Sequence, residues 1–360
     1  MLREIGSEFW LDHNDAEVDC APFRWLECFG HFALVASGRA AITRALELEC
    51  ITKGTVLLPA YTCEAVVQPF AERGLICKFY GVNENLEPDI DCIREVEDVS
   101  VFLHMGYFGF NSNKSLDSAI HSLKQSGAII VEDVTHTLFS THTRHNSNDY
   151  YVASLRKWFG APSGGVIASS RKISATGKNA NKELVEIRTD ALSKKARYIS
   201  SPDPELKREF NILFRQAEQL LNTDASASDI DEMSRDIVFR TDAGRLISKR
   251  RENYTYLYER LTGCKDITVL GHSLSQQSCP LCFPVLVHGA RDWLQSELAK
   301  KGIYCPAHWP PPSNLTEDEF DSARVLYDCE MSIPCDQRYG LSEMEYIADI
   351  IETLLLVSIS

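Results

Sequence analysis

Between residues 55 and 134, short and nearly unbroken apolar runs alternate with amphipathic segments that close on glycine. "TVLLPA" (55–60), "LICKFYGV" (75–82), "VSVFLHMG" (99–106) and "AIIVEDV" (128–134) have the length and the branched and aromatic content of strands. Between them, "TCEAVVQPFAERG" (62–74) and "SLDSAIHSLKQSG" (115–127) read as helices, with Ser115 as an N-cap and Gly74 and Gly127 as stops. A strand that is apolar on every residue needs cover on both faces, and intervening helices provide it. The predicted fold class is therefore α/β: a three-layer α/β/α large domain with a mostly parallel sheet, followed by a smaller C-terminal α/β domain.

The pattern changes after about residue 170. "SSRKISATGKNANK" (169–182) is a polar surface connection, and long helices are expected over 202–222 and 241–263, on either side of a loop at 223–231. A small α/β unit follows from about 264, with a strand at 280–287 and helices at 290–302 and 341–356. The expected division is a large domain over 1–250 and a small one over 251–360.

Composition removes several classes of function. The formal net charge of −14 and the lack of a basic stripe argue against a nucleic-acid partner. No apolar run reaches the roughly 20 residues of a membrane span. The charged start "MLREIGSEFWLDHND" lacks the apolar core of a signal peptide, so the expected location is the cytoplasm. Twelve cysteines are scattered singly, as free thiols would be. The Cys279/Cys282 pair has no second pair at zinc-ribbon spacing, and His136, His142 and His145 have no carboxylate frame, so no metal is expected.

Three features fall where a parallel sheet places its ligands, beyond the carboxyl ends of the strands. In "ASGRAAITRALELE" (36–49), small residues at Ser37 and Gly38 lead into a helix near Arg39, and helix-start N–H groups favour phosphate. The alternative is a plain tight loop. Asp133 closes an apolar strand, where a carboxylate needs a partner: a structural N-cap, a salt bridge or a ligand. Lys157 follows the run "DYYVAS" and precedes Trp158, Phe159 and a Gly-Gly pair. It is either the partner of an acid such as Asp133 or Asp149, or a nucleophilic amine. A phosphate cradle, a strand-end acid and a lysine together suit pyridoxal phosphate (PLP), which needs a Schiff-base lysine, a carboxylate on the ring nitrogen and phosphate anchors.

In this order the segments resemble the DegT/DnrJ/EryC1/StrS aminotransferases of PLP fold-type I. The resemblance covers residues 30–170 and again 264–356. It is carried by "SGRAAITRAL", "LLPAYTCEAVVQPFAERG", "LHMGYFGF", "AIIVEDVTHTLFS", "SLRKWFGAPSGGVIAS", "KGIYCPAHWP" and "SIPCDQRYGLSEMEYIADII". It implies Lys157 and Asp133 as catalytic residues, with Ser37, Gly38, Arg39, Tyr61, Cys63, Asp133, His136, Ser154 and Lys157 around the cofactor. Cys63 stands where the family has a ring-stacking aromatic, with Tyr61 as a possible substitute, and His136 stands where it has glutamine. His308 and Trp309 are candidate substrate-side residues. The asparagine that the family supplies across the subunit interface has no counterpart in "DIVFRTDAG" (236–244). The resemblance further implies a homodimer that transfers an amino group from an amino acid, glutamate or glutamine, to a nucleotide-linked keto sugar. A PLP-dependent sugar dehydratase or lyase and a non-catalytic PLP-fold protein are the alternatives.

Overall fold

A computed structural model describes residues 4–11, 24–142, 144–271, 273–315 and 321–357. Its centre is a seven-stranded sheet in the order His31–Val35, Gly165–Ser169, Tyr150–Ser154, Ile129–Asp133, Val99–Met105, Thr55–Pro59, Ile76–Tyr80. Every pairing is parallel except those of Gly165–Ser169, which runs antiparallel to both neighbours. Consecutive residues Val56, Leu57 and Leu58 are all inaccessible to solvent, as are Val101, Phe102 and Leu103. Neighbouring strand residues point to opposite faces, so both faces of the sheet are covered. The fold is thus the expected α/β class with a mostly parallel sheet.

One helix start differs from the expectation. Ser115 does not cap its helix. The buried Asn113 is tied to His104 at 3.0 Å, and its carbonyl accepts from the Leu116 N–H, so a 3-10 turn, Lys114–Leu116, comes first. The α-helix then runs Asp117–Gln125 without a side-chain cap.

Helix Lys182–Ser200 falls where no element is expected from the sequence. It packs along Pro204–Asn222, burying Ala191, Leu192 and Tyr198 against Phe210 and Phe214, and Leu184 against Ala217 and Leu221. Its buried side also carries Arg188 and Lys195, which breaks the apolar stripe that would have announced it.

The small domain is a three-stranded antiparallel sheet with Phe283–Val287 between Ile267–Val269 and Glu330–Ile333. Helices Arg291–Lys300 and Leu341–Val357 cover it. Residues Ile5–Gly6 add a parallel bridge to Ile303–Tyr304, so the start of the chain is bound to its last third. Helix Ala243–Leu261 is continuous through residue 250. Its Leu246 packs in the cluster around Trp158, and its Tyr254, Leu257 and Leu261 belong to the small-domain core. Arg250, fully buried between these halves, lies 4.3 Å over the Trp158 ring and donates to the carbonyls of Pro280 and Leu281.

The Gly-Gly pair holds the first loop against the last strand of the large sheet. Gly164 adopts φ +140° and donates to the Ala36 carbonyl at 2.7 Å. A Cβ on Gly165 would lie 2.2 Å from the Ser37 carbonyl oxygen, a contact that backbone alone cannot relieve without shifting. Gly165→Ala is therefore expected to destabilise the fold by about 1–3 kcal/mol, since overpacking against backbone forces rearrangement. Thermal denaturation beside wild type checks this, and an unchanged midpoint would show that the approach is not tight.

Candidate active site

The C-terminal ends of strands Ile129–Asp133 and Tyr150–Ser154 open beside the start of helix Gly38–Leu48. Ser37 is the N-cap of that helix, its Oγ accepting from the Ala40 N–H at 3.0 Å. The first intrahelical bond runs from Ala41 to Ser37, which leaves the N–H groups of Gly38 and Arg39 outside the helix ladder. Gly38 faces Ser154: a Cβ there would lie 3.3 Å from the Ser154 Cβ. Ser37, Gly38 and Ser154 thus come together as the sequence suggests. Arg39 is buried and acts as a clamp. Its Nε donates to Gln68 at 2.7 Å and its Nη2 to Asn222 at 2.5 Å, which joins helix Gly38–Leu48 to Glu64–Ala71 and to the end of Pro204–Asn222.

Asp133 is 5% exposed. It accepts from the Thr135 N–H at 2.8 Å, and no ion pair joins it to a cation among the described residues. Burial pushes its carboxyl up to about 6, although the Thr135 hydrogen bonds oppose this. Neither of the acids considered as a partner for Lys157 takes that part: Asp149 pairs with Lys124, and Lys157 makes no ion pair among the described residues. Lys157 is not buried either. It ends the 3-10 turn Leu155–Lys157 and is exposed on the wall of a cleft of about 1220 Å³. Its positive charge acts on Cys63, His136 and His308, and Asp133 acts on Cys63 as well. Of these five, Lys157 and His308 line the cleft, and Cys63 is the one on which the charges of both Lys157 and Asp133 act.

Thr135, which sequence reasoning did not single out, ties the acid to the lysine turn. Its Oγ accepts from the Ser154 N–H at 3.0 Å, and its carbonyl accepts from the Trp158 indole at 2.7 Å. The Thr135 N–H bond to Asp133 is an Asx-turn that an aspartate at a strand end can signal, but the role of the Thr135 hydroxyl has no sequence signal. Trp158 is held from the other side by Arg250 and by Gln337, whose Nε2 donates to the Trp158 carbonyl at 2.7 Å. The turn bearing Lys157 is braced by both domains.

Aromatic and imidazole rings form the far wall. His136 is buried, and its Nδ1 accepts from the Phe108 N–H at 3.3 Å. Burial, reinforced by Lys157, lowers it to about 3, so it is neutral. Its ring meets His308 at 5.4 Å and Trp309 at 5.2 Å. Tyr61 is fully buried, donates to the His308 carbonyl, and packs among Tyr107, Trp309 and Tyr327. It supports the wall from behind, and Cys63, only partly buried, is the residue of the pair on which the charges of Lys157 and Asp133 act. Behind His308, Glu330 accepts from the His308 N–H at 2.6 Å and from Ser332 Oγ at 2.6 Å, while Ser332 meets His308 Nδ1 at 2.8 Å. Burial pushes Glu330 up to about 8, so at neutral pH it is largely a neutral acid. No motif in "CEMSIP" announces this group.

The other candidates lie elsewhere. Cys279 and Cys282 are free and buried, with Cys282 donating to Ser332. His145 binds Asp117 and the Asn113 carbonyl. Among the described residues no group of three His, Cys, Asp or Glu side chains has a metal-holding arrangement, and no helix is long and apolar enough to cross a membrane.

No protein-family model and no curated protein sequence matches the chain. Solved structures do. The aminotransferase TlmJ from Streptoalloteichus hindustanus is 16% identical with a TM-score of 0.67, over 92% of this chain and 87% of that one. The aminotransferase PseC from Helicobacter pylori, involved in the biosynthesis of pseudoaminic acid, is 15% identical with a TM-score of 0.68, over 99% and 100%. Spr1654 from Streptococcus pneumoniae, solved in its PLP form, is 18% identical with a TM-score of 0.67, over 90% and 86%. The chain has the fold of these proteins along nearly its whole length.

The pH dependence of the cofactor-free protein follows from Asp133. Its folded value, about 6, lies above the ordinary 3.8, so the folded state binds the proton more tightly than the unfolded one. The penalty is absent at low pH and grows as pH rises from about 4 through 6, to ~3 kcal/mol at 1.36 kcal/mol per unit. Cofactor-free Asp133→Asn is therefore expected to be more stable than wild type at pH 7–8, with the gap closing below pH 4. Denaturant midpoints at several pH values test this, and a wild-type protein that is the more stable at pH 8 would contradict it.

Proposed function

We propose that this chain is a PLP-dependent aminotransferase that moves an amino group from an amino acid, glutamate or glutamine, to a keto sugar, with the sugar carried on a nucleotide. The observation that carries this reading is the buried Asp133 carboxylate, which pairs with no cation among the described residues and acts, like the exposed Lys157, on Cys63. When bound, PLP supplies a protonated ring that withdraws electrons from the carbon next to the transferred nitrogen. The residues present fit such a group. Asp133 would take the ring nitrogen as its missing positive partner and hold a proton there. The Gly38 and Arg39 N–H groups, with Ser37 and Ser154, would take the phosphate, and Arg39 would add charge from behind. Cys63 and His136 would lie along the ring, supported by Tyr61. Lys157 Nζ would hold the aldehyde carbon and, once free, carry a proton between substrate and cofactor carbons on one face.

The shared fold with aminotransferases supports the reaction class, and the PLP form of Spr1654 supports the cofactor. The naming of PseC for a sugar-acid biosynthesis supports a sugar acceptor. Seven Lys and Arg against four Asp and Glu line the cleft of a chain whose net charge is −14, which favours an anionic substrate. The presence of Lys157, rather than a residue unable to hold the aldehyde, supports transfer over dehydration. By resemblance and by the prevalence of two-fold assemblies the working unit is a homodimer.

The expected result of a half-reaction is direct. Glutamate or glutamine added to the PLP-loaded protein converts it to the pyridoxamine form and releases the matching keto acid. Borohydride treatment of the PLP-loaded protein followed by peptide mapping places the pyridoxyl group on Lys157. If no amino donor converts the cofactor, while a keto sugar loses water with pyridoxamine phosphate supplied, the protein is a dehydratase and this reading is wrong.

A further inference from the structure

The geometry points to Arg188, assisted by Arg156, as a receptor for an oxyanion of the substrate, a receptor that the chain's own Glu8 carboxylate fills until substrate arrives. The inference rests on the aminotransferase reading for the identity of the substrates, and on the structure alone for the receptor.

Arg188 sits on the buried side of helix Lys182–Ser200, its guanidinium 5.5 Å from the centre of the Phe214 ring. Its side chain is 3% exposed, whereas that of its partner Glu8 is 48% exposed, with Glu8 Oε2 3.3 Å from Arg188 Nη2. The cation is therefore built into the protein, and the anion is the half of the pair that can leave. A guanidinium stripped of water needs an anion, because leaving such a charge unpaired is costly. Arg156, on the same cleft wall as Lys157, is half-buried and held by Glu218 at 3.6 Å. The Nε atoms of Arg156 and Arg188 are both buried without a partner, so neither guanidinium is fully satisfied by its present acid. The two cations also repel one another. An oxyanion reaching both would relieve each of these conditions, and planar guanidinium groups suit carboxylate and phosphate alike.

Glu8 behaves as a stand-in for such an anion. Partial desolvation in the cleft opposes its ionisation, but Arg188, Arg156, Lys157 and Lys195 outweigh this and hold it at about 2. Its backbone is fixed independently of its side chain. Ile5–Gly6 pair with Ile303–Tyr304, Lys195 donates to the Glu8 carbonyl and to Ser7 Oγ at 2.6 Å, and Arg338 donates to the Glu8 carbonyl at 3.0 Å. Only the side chain has to swing aside for the receptor to open. Because Lys157 is among the charges that act on Glu8, an anion in its place would lie within reach of the reacting amine's field.

Two expected substrate groups share this chemistry: the carboxylate of the amino donor and the diphosphate of a nucleotide-linked sugar. Calorimetry on the PLP-loaded protein, with glutarate as an unreactive dicarboxylate and inorganic pyrophosphate as the second probe, reads the receptor without requiring turnover. At least one probe binds wild type. Glu8→Gln binds that probe about fivefold more tightly, the scale of a half-exposed ion pair, and Arg188→Lys binds it about tenfold more weakly, with the fork geometry lost. The probe that shows this pattern identifies the source, donor or nucleotide. Binding of neither probe, or equal affinity in wild type and a folded Glu8→Gln, overturns the proposal. If Arg188→Lys does not fold, the Glu8→Gln comparison decides alone, because Glu8 is the exposed partner. Loss of transamination in wild type with the binding pattern intact would reject the aminotransferase reading and leave the receptor standing.

Discussion

A carboxyl group at the end of a strand, nearly inaccessible to water and paired with no cation among the described residues, is the constraint around which the rest of this structure is organised. Asp133 is raised to about 6 by burial. A fold that gained nothing from the group would have an amide or an apolar residue there, since an unpaired buried charge is a net cost. The cost is recovered only if something positive enters. Lys157, whose charge acts on Cys63, His136 and His308, follows the strand that pairs with that of Asp133, and Gly38, at the start of helix Gly38–Leu48, faces Ser154 at the end of the same strand.

The surrounding architecture fixes the two catalytic candidates relative to one another. Thr135 bonds Asp133, the Ser154 N–H and the Trp158 indole, which locks the ends of two adjacent parallel strands into one unit. Trp158 is clamped in turn by Arg250 and Gln337, so the position of Lys157 depends on how the small domain sits on the large one. Gly164 and Gly165 let the antiparallel strand approach Ser37 closely enough to bring Gly38 against Ser154. Each is a local rule of backbone or hydrogen bonding, and together they position an amine, an acid and a helix start.

Much of this was legible in the sequence, for identifiable reasons. Strands such as Ile129–Asp133 and helices such as Asp117–Gln125 carry their own periodicity, and a charged residue closing an apolar run stands out without knowledge of its neighbours. Ser37, Gly38, Asp133 and Lys157 were singled out in that way, and Ser154 and His136 by the resemblance. What was hidden depends on contacts between distant segments. Arg188 and Lys195 face inward from a helix whose composition looks solvated, and Glu8 belongs to a segment whose sequence says only that it is charged. Glu330 acquires its raised value from burial against His308 and Ser332, which no spacing encodes. Which of Tyr61 and Cys63 stays accessible also required the fold, because the turn after Pro59 sends Tyr61 into the cluster with Tyr327 and leaves Cys63 partly exposed. Ser115 shows the converse failure: a good local cap is bypassed because Asn113, anchored by His104, starts the turn first.

The central claim is that Asp133 is reserved for a positive ring nitrogen. Nitrogen NMR of the protein loaded with ring-labelled PLP reads that nitrogen directly. The account predicts a ring nitrogen that stays protonated across neutral and mildly alkaline pH in wild type and loses its proton in Asp133→Asn at the same cofactor occupancy. A ring nitrogen that titrates alike in both proteins would contradict it.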